Sequence, residues 1–501
     1  MNLAELPAKE IERFGEHVSL IFGDRQYTNK QMHSDTLRLA NALKSLGIRK
    51  GDRVIIQMPN CPEVFQSFLA VYTLGAVIVP INFMVGDAET AFIYQNSGAK
   101  AIVSSKLFLP KIETCRKQAP NVEHIILIDA EVPAHTHAYH QLLAQHADQC
   151  PIAPVADDDL AALIYTAGTT GTPKGVMHTH KSLLTNAQMQ VDTVDLPSGL
   201  TAVVVLPLCH SYGIASMNFG MLKGGGKAVV LDSFDIDKLF AAIEKHKANS
   251  LAAVPTMYVF MLLHPDPKKY DLSSMKYWIC GSAPLTQETW NRFKEVFGGE
   301  IAEGWGLTEA GANNSANPIQ GAKKVGSIGR PMNGTQMKVV DDLGNELPPG
   351  QQGEILIGGP MLMKGYWKNP EETAKVLRDG WLYTGDVGYR DAEGYFFITE
   401  RKKDLIIKGG ENIAPREVEE VLFKHPKVAE AAVVGIKDEV YGENIKAWVV
   451  LKPGQTATPE EIIEFCQTHL KRFKSPKEVA FLPALPKNLV GKILRKELRK
   501  M

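Results

Sequence analysis

At 501 residues and 45% apolar composition, the chain is long enough for two to four domains with large buried cores. Its 55 basic and 56 acidic side chains leave a net charge of -1, which excludes the broad basic surface of a nucleic-acid binder. The six cysteines (Cys61, Cys115, Cys150, Cys209, Cys280 and Cys466) are scattered and form no CxxC pair. That argues against a disulfide framework or zinc site and for a reducing, cytoplasmic compartment. The opening MNLAELPAKEIERFGEH mixes charged with apolar residues and lacks the core of a signal peptide. Two uncharged runs, 67–83 and 201–222, approach membrane-span length. Pro, Gly, Asn and Ser interrupt both, so buried elements of a soluble protein are the expected reading.

In chain order, strands are expected at 20–22 and 53–58, flanking a helix over 28–46 in which Leu37, Leu39, Ala40, Leu43 and Leu46 recur at helical spacing. A second helix at 62–74 leads to a strand at 76–80. Short buried strands follow at 101–104, 124–128, 202–206, 228–231, 250–254 and 277–280. Alternation over this length predicts an α/β fold class with layered parallel sheets. After residue 326 the texture changes. Strands at 337–340, 353–357 and 394–398, separated by turn clusters such as DDLGNELPPGQQG, predict a small antiparallel, barrel-like subdomain over about 326–400. The charged junction ERKKDLIIKGGENIAP then opens a compact α+β unit: helix 415–424, strands 428–436 and 446–451, helix 459–470 and a basic tail. The main boundary is placed near Arg401, between a large domain 1–400 and a small one 401–501.

The most informative run is YTAGTTGTPKG, residues 165–175. Its glycines allow a tight turn that brings backbone N–H groups close to a ligand, and its hydroxyls and Lys174 add donors and positive charge. The Walker spacing is absent, because Lys174 comes three residues after Gly171 and behind Pro173. GVMHTH reads as a second short strand, so the loop is a hairpin tip shaped for a polyphosphate.

Six further motifs follow in order: PLCHSYG (207–213), GSAPL (281–285), GWGLTE (304–309), YTGD (383–386), ERKKD (400–404) and GKILRK (491–496). Together with the loop they resemble the adenylate-forming superfamily of acyl-CoA synthetases, luciferases and peptide-synthetase adenylation domains. The resemblance spans about residues 18–500. It implies two half-reactions: a carboxylate attacks the α-phosphate of ATP, giving acyl-AMP and pyrophosphate, and the thiol of coenzyme A then displaces AMP. Because the first step brings two anions together, positioned cations and N–H donors are what the enzyme must supply.

The resemblance also implies roles. Thr166, Gly168, Thr169, Thr170, Gly171 and Lys174 would hold the β- and γ-phosphates, with Ala167 replacing the serine usual in relatives. Glu309 would ligate Mg²⁺, which needs few protein oxygens beside phosphate, and Thr308 would donate to the α-phosphate. Trp305, between Gly304 and Gly306, stands where relatives carry a tyrosine lining the adenine pocket; Gly281, Ser282 and Ala283 form the opposite wall. Asp386 would accept from the ribose hydroxyls, and Arg401 would reach ribose or phosphate. His210 would sit beside the acyl carboxylate. Lys492 would bridge carboxylate and α-phosphate, whereas Lys487, Arg495, Lys496, Arg499 and Lys500 read as a solvated tail. After adenylation the small domain would rotate about Lys403, presenting the turn Gly409-Gly410 to the site.

The leading expectation is an acyl-CoA synthetase for a medium- to long-chain fatty acid, its acyl pocket lined from 211–217, 254–257, 280–282 and 304–314. Ile214, near the place of a gating tryptophan in some long-chain enzymes, weakens the long-chain assignment. Asn313 and Asn314 add polarity suited to an aromatic or hydroxylated acid, so an aryl-CoA ligase of the coumarate or benzoate type is the alternative. A luciferase-like oxygenase and a stand-alone peptide-synthetase domain fit less well; a nucleotide-binding regulator with dead chemistry is disfavoured by Glu309 and Lys492 occurring together. The partners expected are small molecules and no nucleic acid. Membrane contact through Ile493, Leu494 and Leu498 and a homodimer, common in relatives, stay open. His178 and His180, two apart on an expected strand, share a face but lack a third metal ligand.

Overall fold

The structure, a computed structural model, describes residues 1–166, 172–283, 285–487 and 493–501, with the backbone alone at Asn412. In one eight-stranded sheet the spatial order is Gly365–Tyr366, Lys174–Thr179, Leu160–Thr166, Val77–Pro80, Arg53–Gln57, Ala101–Ser104, His124–Leu127 and His137–Ala138. Pairing is parallel from Leu160–Thr166 to His137–Ala138 and antiparallel at the other edge. Val54 and Ile56 enter one core cluster and Ile55 the cluster on the opposite face; Ala162 and Ile164 oppose Leu163 in the same way. Strands covered on both faces need apolar residues at every position, which is why they read as unbroken apolar runs.

A nine-stranded sheet runs Arg330–Pro331, Ser315–Ala316, Ile301–Trp305, Tyr277–Cys280, Ser250–Ala253, Thr201–Val204, Lys227–Val230, Val18–Phe22 and Arg25–Thr28. Its centre is parallel and its edges antiparallel. Helix Pro62–Thr73 joins the two sheets. Its Phe68 and Leu69 pack in the cluster of the first, and its Phe65 packs against Leu20 and Val230 of the second.

Beyond residue 330 the antiparallel sheet expected from the turn clusters forms from Gln336–Val340, Gly353–Gly358, Trp381–Arg390, Leu377–Arg378 and Phe396–Arg401. Trp381–Arg390 was not anticipated as a strand. Gly385 and Gly388 break its alternation, and the ladder shifts between Val387 and Gly388. The strand expected at 394–398 lies at Phe396–Arg401, so Arg401 is inside the sheet and pairs in register with Asp386. The last unit is a sheet of Glu411–Ile413, Ile406–Lys408, Gly442–Leu451 and Val428–Asp438, with Glu478–Phe481 parallel to Gly442–Leu451. Val418, Leu422, Ile462 and Cys466 of helices Pro415–Phe423 and Pro459–His469 cover one face of it.

The tail departs from its expected solvation. Arg495 is held by Glu419 at 2.9 Å, Arg499 by Asp404 at 2.8 Å and Lys487 by Glu430 at 2.7 Å. Leu498 is buried with Ala432, Val434, Trp448 and Leu485, and Ile493 packs against the same cluster. Leu498 and Ile493 thus complete the far face of the small sheet, whereas Leu494, the third residue of the membrane-contact expectation, is exposed. No helix of the described residues is long and apolar enough to cross a membrane.

Glu303, on strand Ile301–Trp305, is buried and accepts from the Gly326 and Leu285 amides at 3.1 and 3.3 Å. Burial pushes its carboxyl up to about 7. The unfolded chain therefore ionises this group near its ordinary value of 4.5, while the folded chain resists until about 7. Its stabilising contribution is complete below pH 4.5 and lost as pH rises through 7. Urea unfolding of Glu303→Gln should show a flatter stability profile across that window, the wild type losing about 3 kcal/mol more than the variant. Parallel profiles would refute the assignment.

Candidate active site

The site lies beyond the carboxyl ends of adjacent parallel strands, where open α/β sheets place their ligands. Strand Tyr277–Cys280 delivers Gly281, Ser282 and Ala283, and Ile301–Trp305 delivers Gly304, Trp305, Gly306 and Thr308. The segment after Thr201–Val204 brings His210. All of these line one cavity of about 2230 Å³, as do Thr166 and Lys174 on the hairpin strands and Glu309, Asp386 and Arg401. Close backbone packing fixes the wall. A Cβ on Gly306 would lie 1.7 Å from the Ala312 carbonyl oxygen, and one on Gly213 would lie 2.6 Å from that of Pro207. Ser282 and Ala312 hold positive φ of 72° and 101°, a strained backbone of the kind found at ligand sites.

Thr308 is held from two sides. Its hydroxyl lies 3.0 Å from that of Ser211, and its carbonyl accepts from His178 Nε2 at 2.6 Å. Nδ1 of His178 faces the Ser182 hydroxyl at 3.0 Å, and burial lowers the imidazole to about 4, so it is neutral with its proton on Nε2. The shared strand face expected for His178 and His180 does not exist. Thr179 ends the strand by capping helix His180–Thr193, and His180 Nδ1 accepts from the Leu3 amide. His210 caps helix Ser211–Lys223, its Nδ1 accepting from the Tyr212 amide at 3.3 Å.

Asp386 and Arg401 form an ion pair, Arg401 Nε to Asp386 Oδ1 at 2.8 Å, with the carboxylate side chain only 3% exposed. The indole of Trp305 donates to the other oxygen, Oδ2, at 3.2 Å. A tyrosine has no N–H at that ring position, so the tryptophan adds a donor as well as a larger ring.

Glu309 accepts from the Tyr366 hydroxyl at 2.9 Å. Tyr366 is pushed up by burial and by the carboxylate, so its phenol stays a donor. The Lys174 ammonium lies 5.1 Å from the centre of the same ring and pairs with Glu372. Glu372, also bonded by Lys375, is held down to about 2 by these lysines. Neither Tyr366 nor Glu372 stood out in the sequence. GYWKNPEET places them here only because Gly365–Tyr366 adds as a strand against Val176 and Met177.

Gly168, Thr169, Thr170, Gly171 and Lys492 lie outside the described residues. Lys487 and Ile493, on either side of 488–492, both line the cavity. Gly409 and Gly410 do not; they make the turn between Ile406–Lys408 and Glu411–Ile413, where the Gly409 amide donates to Tyr441. Lys403 is exposed in the turn after Phe396–Arg401.

The acyl-pocket expectations need correction at two residues, Ile214 and Asn314. Ile214 is fully buried in the core and is not among the residues that line the cavity. Asn314 is fully buried, its amide donating to the Ala310 carbonyl and its oxygen accepting from the Leu307 amide. Asn313 lines the cavity, but its amide donates to Gln190 at 2.9 Å. The polarity of Asn314 is therefore spent within the protein.

The family model described as AMP-binding enzyme matches residues 8–367, and that of the AMP-binding enzyme C-terminal domain matches 417–492. The chain is 38% identical to a long-chain-fatty-acid–CoA ligase of Bacillus subtilis, over 97% of this chain and 92% of that protein. It is 36% identical to a feruloyl-CoA synthase of Amycolatopsis, over 97% and 96%. Among solved structures it is similar to ATP-bound MatB from Rhodopseudomonas palustris, with a TM-score of 0.92 and 30% identity, covering 100% of this chain and 99% of that one. The match to both family models, together with relatives similar over nearly the whole length in sequence and in fold, makes this chain a member of the AMP-binding enzyme family.

Proposed function

We propose that this ATP-dependent acyl-CoA synthetase, an acid–thiol ligase, takes a medium- to long-chain fatty acid. The observation that carries the reading is one cavity in which the nucleotide motifs continue into an apolar wall. Apolar side chains lining the same cavity as His210 include Met217, Val259, Ile279, Met221, Phe65, Leu69 and Met32. Similarity to a feruloyl-CoA synthase keeps the aryl-CoA alternative as an arm of the test.

In the first half-reaction a carboxylate oxygen of the acid forms a bond to the α-phosphorus, and the bond to the β-phosphate oxygen breaks, releasing pyrophosphate. Asp386, oriented by Arg401 and Trp305, would accept from the ribose hydroxyls. Thr308, fixed by His178 and Ser211, would donate to the α-phosphate, and Lys174 and Thr166 would hold the outer phosphates. His210 would sit beside the acid, and Lys492 would neutralise the meeting anions. Glu309 suits Mg²⁺ arriving with the nucleotide: one oxygen is engaged by Tyr366, and magnesium is satisfied by one or two carboxylates plus phosphate oxygens. No cluster of three or more ligating side chains among the described residues would hold the ion without ATP. The metal would supply charge neutralisation at the phosphates. In the second half-reaction the CoA sulfur bonds to the acyl carbon, the bond to the AMP oxygen breaks, and the thiol proton leaves.

The cavity-lining positions of Lys487 and Ile493 support an arrangement competent for adenylation, and the exposed turn at Lys403 supports a hinge between domains 1–400 and 401–501. The free cysteines suit a cytoplasmic enzyme.

CoA-dependent AMP release measured across straight-chain and hydroxycinnamic acids should peak on an acid of medium to long chain, with Lys492→Ala abolishing acyl-AMP formation. A peak on coumarate or ferulate would move the enzyme to the aryl-CoA ligases, and unchanged turnover by Lys492→Ala would remove that lysine from the mechanism. Lys403→Pro should form acyl-AMP at a near-normal rate yet lose thioester; intact thioester formation would refute the hinge.

A further inference from the structure

We propose that Glu372 is an internal stand-in for the triphosphate. It holds the Lys174 ammonium in the nucleotide cavity when ATP is absent and must be displaced when ATP binds. The inference rests on the reading of Lys174 as a phosphate-binding residue.

Four observations carry it. Lys174 is only 13% exposed, so its ammonium is largely withdrawn from water and needs a counter-charge. Glu372 supplies one, and both residues line the cavity that holds Glu309 and Thr308. The ring of Tyr366 lies against the ammonium at 5.1 Å, limiting where it can go, while its hydroxyl is tied to Glu309. Glu372 itself sits in the first turn of helix Pro370–Val376, whose cap Asn369 accepts from the Glu372 amide, and it is shared with Lys375. Its carboxylate therefore has a second cation to turn to when Lys174 is taken by phosphate.

The consequence is competition. A polyphosphate and the Glu372 carboxylate both seek the same ammonium, so ordinary affinity for ATP is what remains after Glu372 is dislodged. The device keeps Lys174 placed and already desolvated, at the cost of weaker binding of any ligand with β- and γ-phosphates. AMP carries neither group and does not compete.

The test is calorimetric binding of ATP with Mg²⁺, of inorganic pyrophosphate and of AMP to the full-length protein and to Glu372→Gln. ATP and pyrophosphate should bind the variant about 3- to 10-fold more tightly, in the range of a partly exposed charge-assisted pair, while AMP affinity stays unchanged. In a Lys174→Ala background the Glu372→Gln tightening should vanish. Weaker or unchanged polyphosphate binding would overturn the proposal. So would an equal change for AMP, which marks a general disturbance of the fold, or tightening that persists without Lys174, which marks simple repulsion. If the wild type bound neither ATP nor pyrophosphate, the nucleotide-site reading would fail first; normal wild-type binding with an unresponsive variant sinks this inference alone.

Discussion

The contact on which the site depends is the ion pair between the buried Asp386 carboxylate and the partly exposed Arg401, closed by the Trp305 indole. It joins three parts of the chain. Asp386 and Arg401 face each other across the antiparallel ladder, and Trp305 ends a strand of the nine-stranded sheet. Arg401 is also the last strand residue before the turn leading to the C-terminal unit. A carboxylate this deeply buried is tolerable only when donors satisfy it. The same requirement that stabilises the junction keeps a well-oriented carboxylate in the cavity wall.

Around that contact, buried polar groups each fix a neighbour. His178 is neutral because it is buried, and being neutral it can give one proton to the Thr308 carbonyl while accepting from Ser182. Tyr366 likewise remains a donor to Glu309. Preorganisation of this kind is what a reaction between two anions asks of a protein, because the donors need not reorganise as charge shifts. At the junction with the small unit, the Arg416 guanidinium donates to the Ile398 carbonyl at 2.7 Å and its backbone amide donates to the Glu400 carboxylate at 3.2 Å, so helix Pro415–Phe423 grips strand Phe396–Arg401 through polar contacts. Polar junctions can be remade in a second arrangement more readily than apolar ones.

Much of this was legible beforehand. Segments such as Val54–Ile56 and Val77–Val79 read as strands because both faces are covered and every position is apolar. The hairpin carrying Thr166 and Lys174 was legible from its glycines and flanking apolar runs. Strand Trp381–Arg390 was not: two glycines and a register shift hide its period, and only the partners Gly353–Gly358 and Phe396–Arg401 make it a strand. The tail shows the same limit. Arg495 and Leu498 look like parts of a solvated basic helix until Glu419 and Trp448 are seen beside them.

By itself, then, the sequence determined the fold class and the order of the motifs, because periodicity and glycine-bearing turns are local properties of the chain, while the chemistry of the motifs followed from their resemblance to a known family. Tertiary structure decided what each polar side chain is paired with. Trp305 meets Asp386 from 81 residues away, Tyr366 meets Glu309 from 57 and Lys174 meets Glu372 from 198. Pairing at such separations is set by which strands lie side by side, and nothing in the composition of either segment encodes its partner.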